Sequence, residues 1–261
     1  MNSMSEEKRQ EQFPYSRQEY FSEYNNVLGY YEALSCIENS HGDSALDLAC
    51  GDGCLTEIFS KHFKKVVGVD ASAKHLTEAN KRLPQIKFYK SLIEEFGTNE
   101  KFDNVFMLNL LEHVIDPIAI LQKVASFLKK DGTLIVHVPN AHAINRKIAV
   151  LMGTLKYCSE LSPYDLEVVG HRRSYTIESL KDDITKAGLR VIKTGGIFFK
   201  MLSFAQMNWF LENGLWQEGG FGWGRIGEKQ KDWKNLFCKA CYEIGKERPE
   251  DCNLIYACIQ K

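Results

Sequence analysis

The chain has 261 residues, 44% of them hydrophobic, and a formal net charge of −1, enough for one sizeable core or a core with a small cap. The near-neutral balance argues against a nucleic-acid or membrane-surface binder, no apolar run approaches the roughly 20 residues that span a bilayer, and Met1–Gln12 is too polar for a signal peptide. A cytosolic protein is expected, so its eight cysteines read as reduced thiols; Cys238, Cys241, Cys252 and Cys258 do not close a zinc site at finger spacing, and no metal is expected.

Residues 1–14 read as a loosely packed tail. From Tyr15 to Leu34 aromatics crowd the sequence, with helical spacing between Tyr20, Tyr24 and Val27. This stretch fits a helix packed on the domain, or a lid within residues 1–40 whose tyrosines cover a ligand. His41-Gly42-Asp43 turns into an apolar strand, and Leu46–Gly53 (LDLACGDG) then runs into a turn on two glycines. Cys54–Phe63 has apolar residues at helical spacing (Leu55, Ile58, Phe59, Phe63). Such a strand, turn and helix start favour a nucleotide-type ligand, because Gly51 removes a Cβ from the approach and free N–H groups attract polar or anionic groups.

A second strand, Lys65–Asp70, ends in a carboxylate 17 residues after Gly53, close to the ~20 expected of an acid that binds a ribose diol. Thr56 stands where the dinucleotide fingerprint wants its third glycine or alanine, which disfavours an NAD-dependent oxidoreductase. Ser72–Leu83 reads as a helix stopped by Pro84, Ile86–Tyr89 as a short strand and Phe102–Leu108 as the fourth. Asp116-Pro117 is a helix start, with Ile118, Leu121, Val124, Ala125 and Leu128 on one buried face. Asp131-Gly132 is expected to end that helix and open a fifth strand, Thr133–Val138. Helices alternating with strands imply a parallel sheet with ligands at the strands' C-terminal ends.

The motifs LDLACGDG, VVGVDAS (66–72) and FDNVFMLNLLEHVIDP (102–117) resemble, in order and spacing, those of class I S-adenosylmethionine-dependent methyltransferases. The LEHVxDP element is similar to that of their small-molecule branch. The resemblance covers roughly residues 44–140. It implies a Rossmann-like, mostly parallel sheet of seven strands, the last antiparallel, with S-adenosylmethionine as cofactor and S-adenosylhomocysteine as product. By position it implies that Asp47 and the Gly51–Gly53 backbone face the methionine part and Asp70 the ribose, with Ala49 and Ala71 also among the cofactor-binding residues. Ser91 and Leu92 would flank the adenine, and Asn109 and Leu110 would lie under the sulfonium. Many relatives carry an acid where Ser91 stands.

Beyond this cofactor half (41–140), residues 141–175 read as an insertion at the substrate rim. A helix Thr176–Ala187 and a sixth strand Leu189–Thr194 open the C-terminal half (176–261), which ends in a strand, Asn253–Ile259. An aromatic insertion at 198–250 holds all four tryptophans and fits a cap over the site, a homodimer contact or packing on the sheet edge.

Methyl transfer to an alcohol needs the acceptor aligned and its proton removed, for which a histidine of near-neutral pKa suits. His113 is the first candidate base and His171 the second; His142 lies near the same rim, and His137 reads as a core residue. Arg172 and Arg173 fit a phosphate or carboxylate of the acceptor. Tyr20, Tyr24 and Asn140 complete the candidate acceptor-binding residues. The reading is O-methylation of a small anionic metabolite, such as a sugar nucleotide, phosphorylated sugar or surface-polysaccharide precursor. A protein that binds the cofactor without catalysing transfer is the other alternative, and no Asn-Pro-Pro-Tyr motif points to RNA or protein as acceptor.

Overall fold

The computed structural model describes residues 6–10, 22–214 and 232–261. Strand β1 (Ser44–Leu48) is buried along its whole length, because it lies at the centre of a sheet covered on both faces. The near-continuous apolar runs of β2 (Lys65–Asp70) and β4 (Phe102–Leu108) have the same origin. With β3 (Lys87–Lys90), β5 (Leu128–Pro139), β6 (Arg190–Phe199) and β7 (Cys252–Gln260), they form a seven-stranded sheet in the order β3-β2-β1-β4-β5-β7-β6. The pairings of β1 through β5 are parallel, and β7 runs antiparallel between β5 and β6. This is the expected Rossmann-like methyltransferase sheet.

One face is covered by α5 (Pro117–Ala125) and α7 (Ile177–Lys186), which bury Ile120, Leu121, Val124, Leu180 and Ile184 against the strands. The other carries α2 (Glu23–Glu38), α3 (Cys54–Ser60), α8 (Phe204–Asn213) and α9 (Trp233–Glu247). Helix starts follow local chemistry. Asp116 accepts from the Ala119 amide with Pro117 at the first helical position, Ser72 caps α4 (Ala73–Arg82), and Thr176 closes a reciprocal box with Ser179.

Several expectations need correction. The Asp131-Gly132 pair lies inside β5, which begins five residues early at Leu128 rather than at Thr133. The pairing with β4 shifts register between Phe102 and Asn104, and a Cβ at Gly132 would come within 2.9 Å of the Phe102 carbonyl oxygen. Strand β6 continues past Thr194 to Phe199, since Gly195 and Gly196 let it pass under the Tyr256 ring and Cys252. Within the expected tail, Glu6–Gln10 form a short helix, α1, and Arg9 donates to the Gly170 carbonyl at 2.7 Å.

Tyr24 is fully buried in α2, with its ring edge-on to Phe198 and Phe204, so it packs the core rather than facing an acceptor. Tyr20 lies outside the described residues. The described parts of the 198–250 insertion, α8 and α9, pack on α2 and β6.

Candidate active site

The turn after β1 takes three left-handed residues within five: Ala49 (φ 57°), Gly51 (φ 56°) and Gly53 (φ 79°). The two glycines do different work. A Cβ on Gly51 would meet nothing within 4 Å, and the residue opens into a cavity. Gly53 instead packs against Ala79 of α4, where a Cβ would fall at 3.1 Å, so it is off the cavity wall. Ala49 has no such freedom, and a left-handed alanine marks the local strain often found at working sites.

At the end of β2, Asp70 ties two turns together. Its Oδ2 accepts from the Gly51 amide and its Oδ1 from the Ser72 amide, both at 2.9 Å, and His75 Nδ1 stands 3.5 Å from Oδ1. A carboxylate offers about four lone-pair sites, so two amides leave acceptor capacity toward the cavity.

The cavity encloses about 280 Å³ at the C-terminal ends of β1 through β4, where the strand order reverses. That is near the lower end of the roughly 300–1,000 Å³ usual for small-molecule sites. Of the residues singled out in the sequence, Ala49, Gly51, Asp70, Ala71, Ser91, Leu92, Asn109, Leu110 and His113 line it, joined by others such as Glu6, His75 and Glu94.

Asp47 is not on the wall. It is buried, and its Oδ2 accepts from the Thr56 hydroxyl at 2.6 Å. Burial pushes the Asp47 carboxyl up to about 7, against the lowering effect of that hydrogen bond. The threonine that breaks the dinucleotide fingerprint is therefore the partner of the acid that is foreign to it.

Asn109, left-handed at φ 51°, spends its side-chain amide on Glu32 Oε1 of α2 at 2.7 Å. Its Oδ1 is buried without a hydrogen bond among the described residues. Glu32 also stands 3.6 Å from Nδ1 of the buried His137, which confirms His137 as a core residue.

Beyond Asn109 the chain turns through Leu111–Ile115, and three groups meet there. Glu112, His113 and His171 offer ligand atoms within 4.8 Å of one another. The His113 and His171 rings meet edge to face at 5.0 Å. Burial, then the neighbouring His171, pulls the His113 imidazole down to about 3, below the near-neutral value expected of it, so the ring is held neutral. Burial pushes the Glu112 carboxyl up to about 7. His171 Nδ1 lies 3.5 Å from Asp165 Oδ1. Burial alone would raise Asp165, yet hydrogen bonds from His171 and Ser162 and the Arg146 charge hold it well below the usual carboxylate range. The Glu112 signal was hidden inside the LEHV motif, where only the histidine looked like chemistry. His142 is exposed and lines nothing here.

The expected anion-binding pair is also corrected. Arg173 donates to the carbonyls of Leu111, Val114 and Ile115 at 2.9, 2.5 and 3.0 Å, bracing the turn that carries Glu112 and His113. Arg172 donates to the His113 carbonyl and to Glu6, both at 2.8 Å. Asn140 is structural too: its amide reaches the carbonyls of Glu250 and Cys252 at 3.1 and 2.9 Å, and its Oδ1 accepts from His142.

Residues 15–194 match the model of the family described as "Methyltransferase domain". The chain belongs to that family. Curated relatives include the ubiquinone biosynthesis O-methyltransferases of Rhodopseudomonas palustris (strain TIE-1) and Actinobacillus pleuropneumoniae serotype 7 (strain AP76). The first is 29% identical over 52% of this chain and 58% of its own length, the second 32% identical over 47% and 56%. The chain thus spans little more than half the length of these relatives. A solved S-adenosylmethionine-dependent methyltransferase from Mesorhizobium loti aligns with a TM-score of 0.56 at 14% identity, covering 89% of this chain and 98% of that one. The N-methyltransferase NodS of Bradyrhizobium japonicum WM9, solved with S-adenosylhomocysteine, aligns with 0.56 at 12% identity over 97% of both. These neighbours share the methyltransferase family's fold, and the enzyme class and cofactor expected from the sequence agree with the family.

Proposed function

We propose that this chain transfers a methyl group from S-adenosylmethionine to an oxygen of a small acceptor. The observation that carries the reading is the wall of the cavity. Asp70 is anchored by two amides with acceptor capacity left, Gly51 is open where a Cβ would intrude, and Asn109 has an unmatched buried oxygen. A ribose diol needs acceptors such as Asp70, and a donor or cationic group satisfies Asn109 Oδ1. Leu92 and Ile93 offer apolar surface for a flat ring. When bound, the donor supplies a methyl group on a sulfonium, which an acceptor oxygen displaces in line. The chain's largest task is then alignment in a confined site. Activation of the acceptor falls to Glu112, His113 and His171, the last two packed ring to ring with His113 on the wall.

Oxygen as the methylated atom is favoured by the curated relatives, which are named O-methyltransferases. The anionic acceptor suggested by Arg172 and Arg173 draws no support from this geometry, because both guanidinium groups are committed within the protein.

Calorimetry with S-adenosylhomocysteine tests the reading. Saturable binding is expected for the wild type, and Asp70→Asn should weaken it by about 1.5–3 kcal/mol, the scale of hydrogen bonds to a charged group. Tight binding of NAD instead, or an unchanged affinity in Asp70→Asn, would overturn the assignment.

A further inference from the structure

Glu112 is 1% exposed, and neither of its carboxylate oxygens has a hydrogen bond among the described residues. A buried carboxylate without donors is costly unless something positive or a proton accompanies it. Its neighbours are two imidazoles whose orientation is set from behind. His113 directs Nδ1 to the Gly170 carbonyl at 3.3 Å and Nε2 toward Glu112 Oε1 at 3.7 Å. His171 directs Nδ1 to Asp165 Oδ1 at 3.5 Å. An imidazole whose Nδ1–H is engaged by a carbonyl or carboxylate presents Nε2 as a lone pair, the arrangement commonly found behind metal-bound histidines.

We propose that Glu112, His113 and His171 bind one divalent cation at the acceptor end of the cavity. The two imidazoles suit a borderline ion such as zinc, and the carboxylate also admits a harder one such as manganese. The potential ligand atoms lie within 4.8 Å of one another; ligands held at about 2.0–2.2 Å from one tetrahedral ion stand roughly 3.3–3.6 Å apart, so a pair at that limit closes by about 1.2–1.5 Å when the ion enters. Three protein ligands leave coordination positions open, and His113 sits on the cavity wall. An acceptor hydroxyl or phenol would occupy such a position.

This deepens the O-methyltransfer reading and rests on it for its role. The ion lowers the pKa of the bound O–H, whose proton leaves to water. The oxygen's electron pair forms the new bond to the methyl carbon, and the C–S bond breaks with its pair passing to sulfur. The products are a methyl ether and a neutral thioether. The brace from Arg173 to the Leu111–Ile115 turn gains a purpose, since that turn positions two of the three ligands.

The test uses the full chain, stripped with a chelator, and titrates manganese alone by calorimetry and electron paramagnetic resonance. Manganese is chosen because the eight cysteines could take up zinc elsewhere. Uptake of one ion per chain is expected, lost in both Glu112→Gln and His171→Ala. Circular dichroism and S-adenosylhomocysteine affinity should stay at wild-type values in both. If Glu112→Gln does not fold, His171→Ala alone decides, because His171 sits on a rim loop. Absence of saturable uptake, or uptake unchanged in the variants, would overturn the site even with cofactor binding intact. Uptake lost in the variants together with failure to bind S-adenosylhomocysteine in the wild type would uphold the site and remove the cofactor reading instead.

Discussion

At the scale of single residues, the least expected finding is the pairing of Asp47 with Thr56. Its consequence can be measured through pH. The folded Asp47 carboxyl titrates near 7 against an ordinary 3.8, raised by burial. The native state therefore holds a proton that the unfolded chain has already released between those values. Stability associated with that proton is fully present below about pH 4 and is lost as pH rises through about 7. Asp47→Asn keeps an oxygen for Thr56 and cannot ionise. Urea denaturation of the unliganded chain at pH 5 and pH 8 should show the variant gaining roughly 2–3 kcal/mol on the wild type across that interval, at about 1.36 kcal/mol per pKa unit. An interval with no relative change would mean that Asp47 ionises freely in the fold. None of this is legible from residue types alone. The nine-residue separation becomes a 2.6 Å hydrogen bond only once the strand and helix pack.

At the scale of elements, much was legible because the signals are local. The Asp116-Pro117 start, the helix opening at Thr176 and the carboxylate closing β2 stand where the sequence places them. Misreadings arose where tertiary contacts overrode local punctuation. Asp131-Gly132 looks like a break yet sits within a strand, and Gly195-Gly196 carries β6 beneath Tyr256. Asn140 belongs with these. At the end of β5 it resembles a rim residue, but it joins that strand to the Pro249–Asp251 turn and the start of β7. Asn140→Ala removes three hydrogen bonds at a site only 3% exposed. A loss of about 2–4 kcal/mol in chemical denaturation is expected, given the desolvation cost of the groups left behind. The acceptor's KM should stay as it was in whatever fraction remains folded. Unchanged stability with a raised KM would restore Asn140 to the acceptor site.

At the scale of the molecule, two apolar layers divide the labour. The layer with α5 and α7 underlies the Leu111–Ile115 turn, whereas the layer with α2, α8 and α9 covers the opposite face of the sheet. The aromatic insertion suggested a cap from the sequence, because aromatic density does not say which way a segment folds. Its described helices contribute nothing to the cavity wall. From the N-terminal side, by contrast, Glu6 reaches that wall and is held by Arg172, next to His171. Hydrogen exchange with and without S-adenosylhomocysteine should separate these roles. Added protection is expected at 49–54, 70–72, 91–94 and 108–114, the strand ends around the cavity, and in the 165–173 loop that packs on them. Helices α8 and α9 should exchange at the same rate in both states, since they bury Met207, Leu211, Cys238 and Tyr242 whether or not a ligand is present. Protection spreading into α8 and α9 would show that ligand binding tightens the whole α2 layer, and the Asn109–Glu32 hydrogen bond would be its route. Glu32→Gln keeps an acceptor for Asn109 and removes the charge, so protection surviving in that variant would show that the contact, rather than the charge, carries the effect.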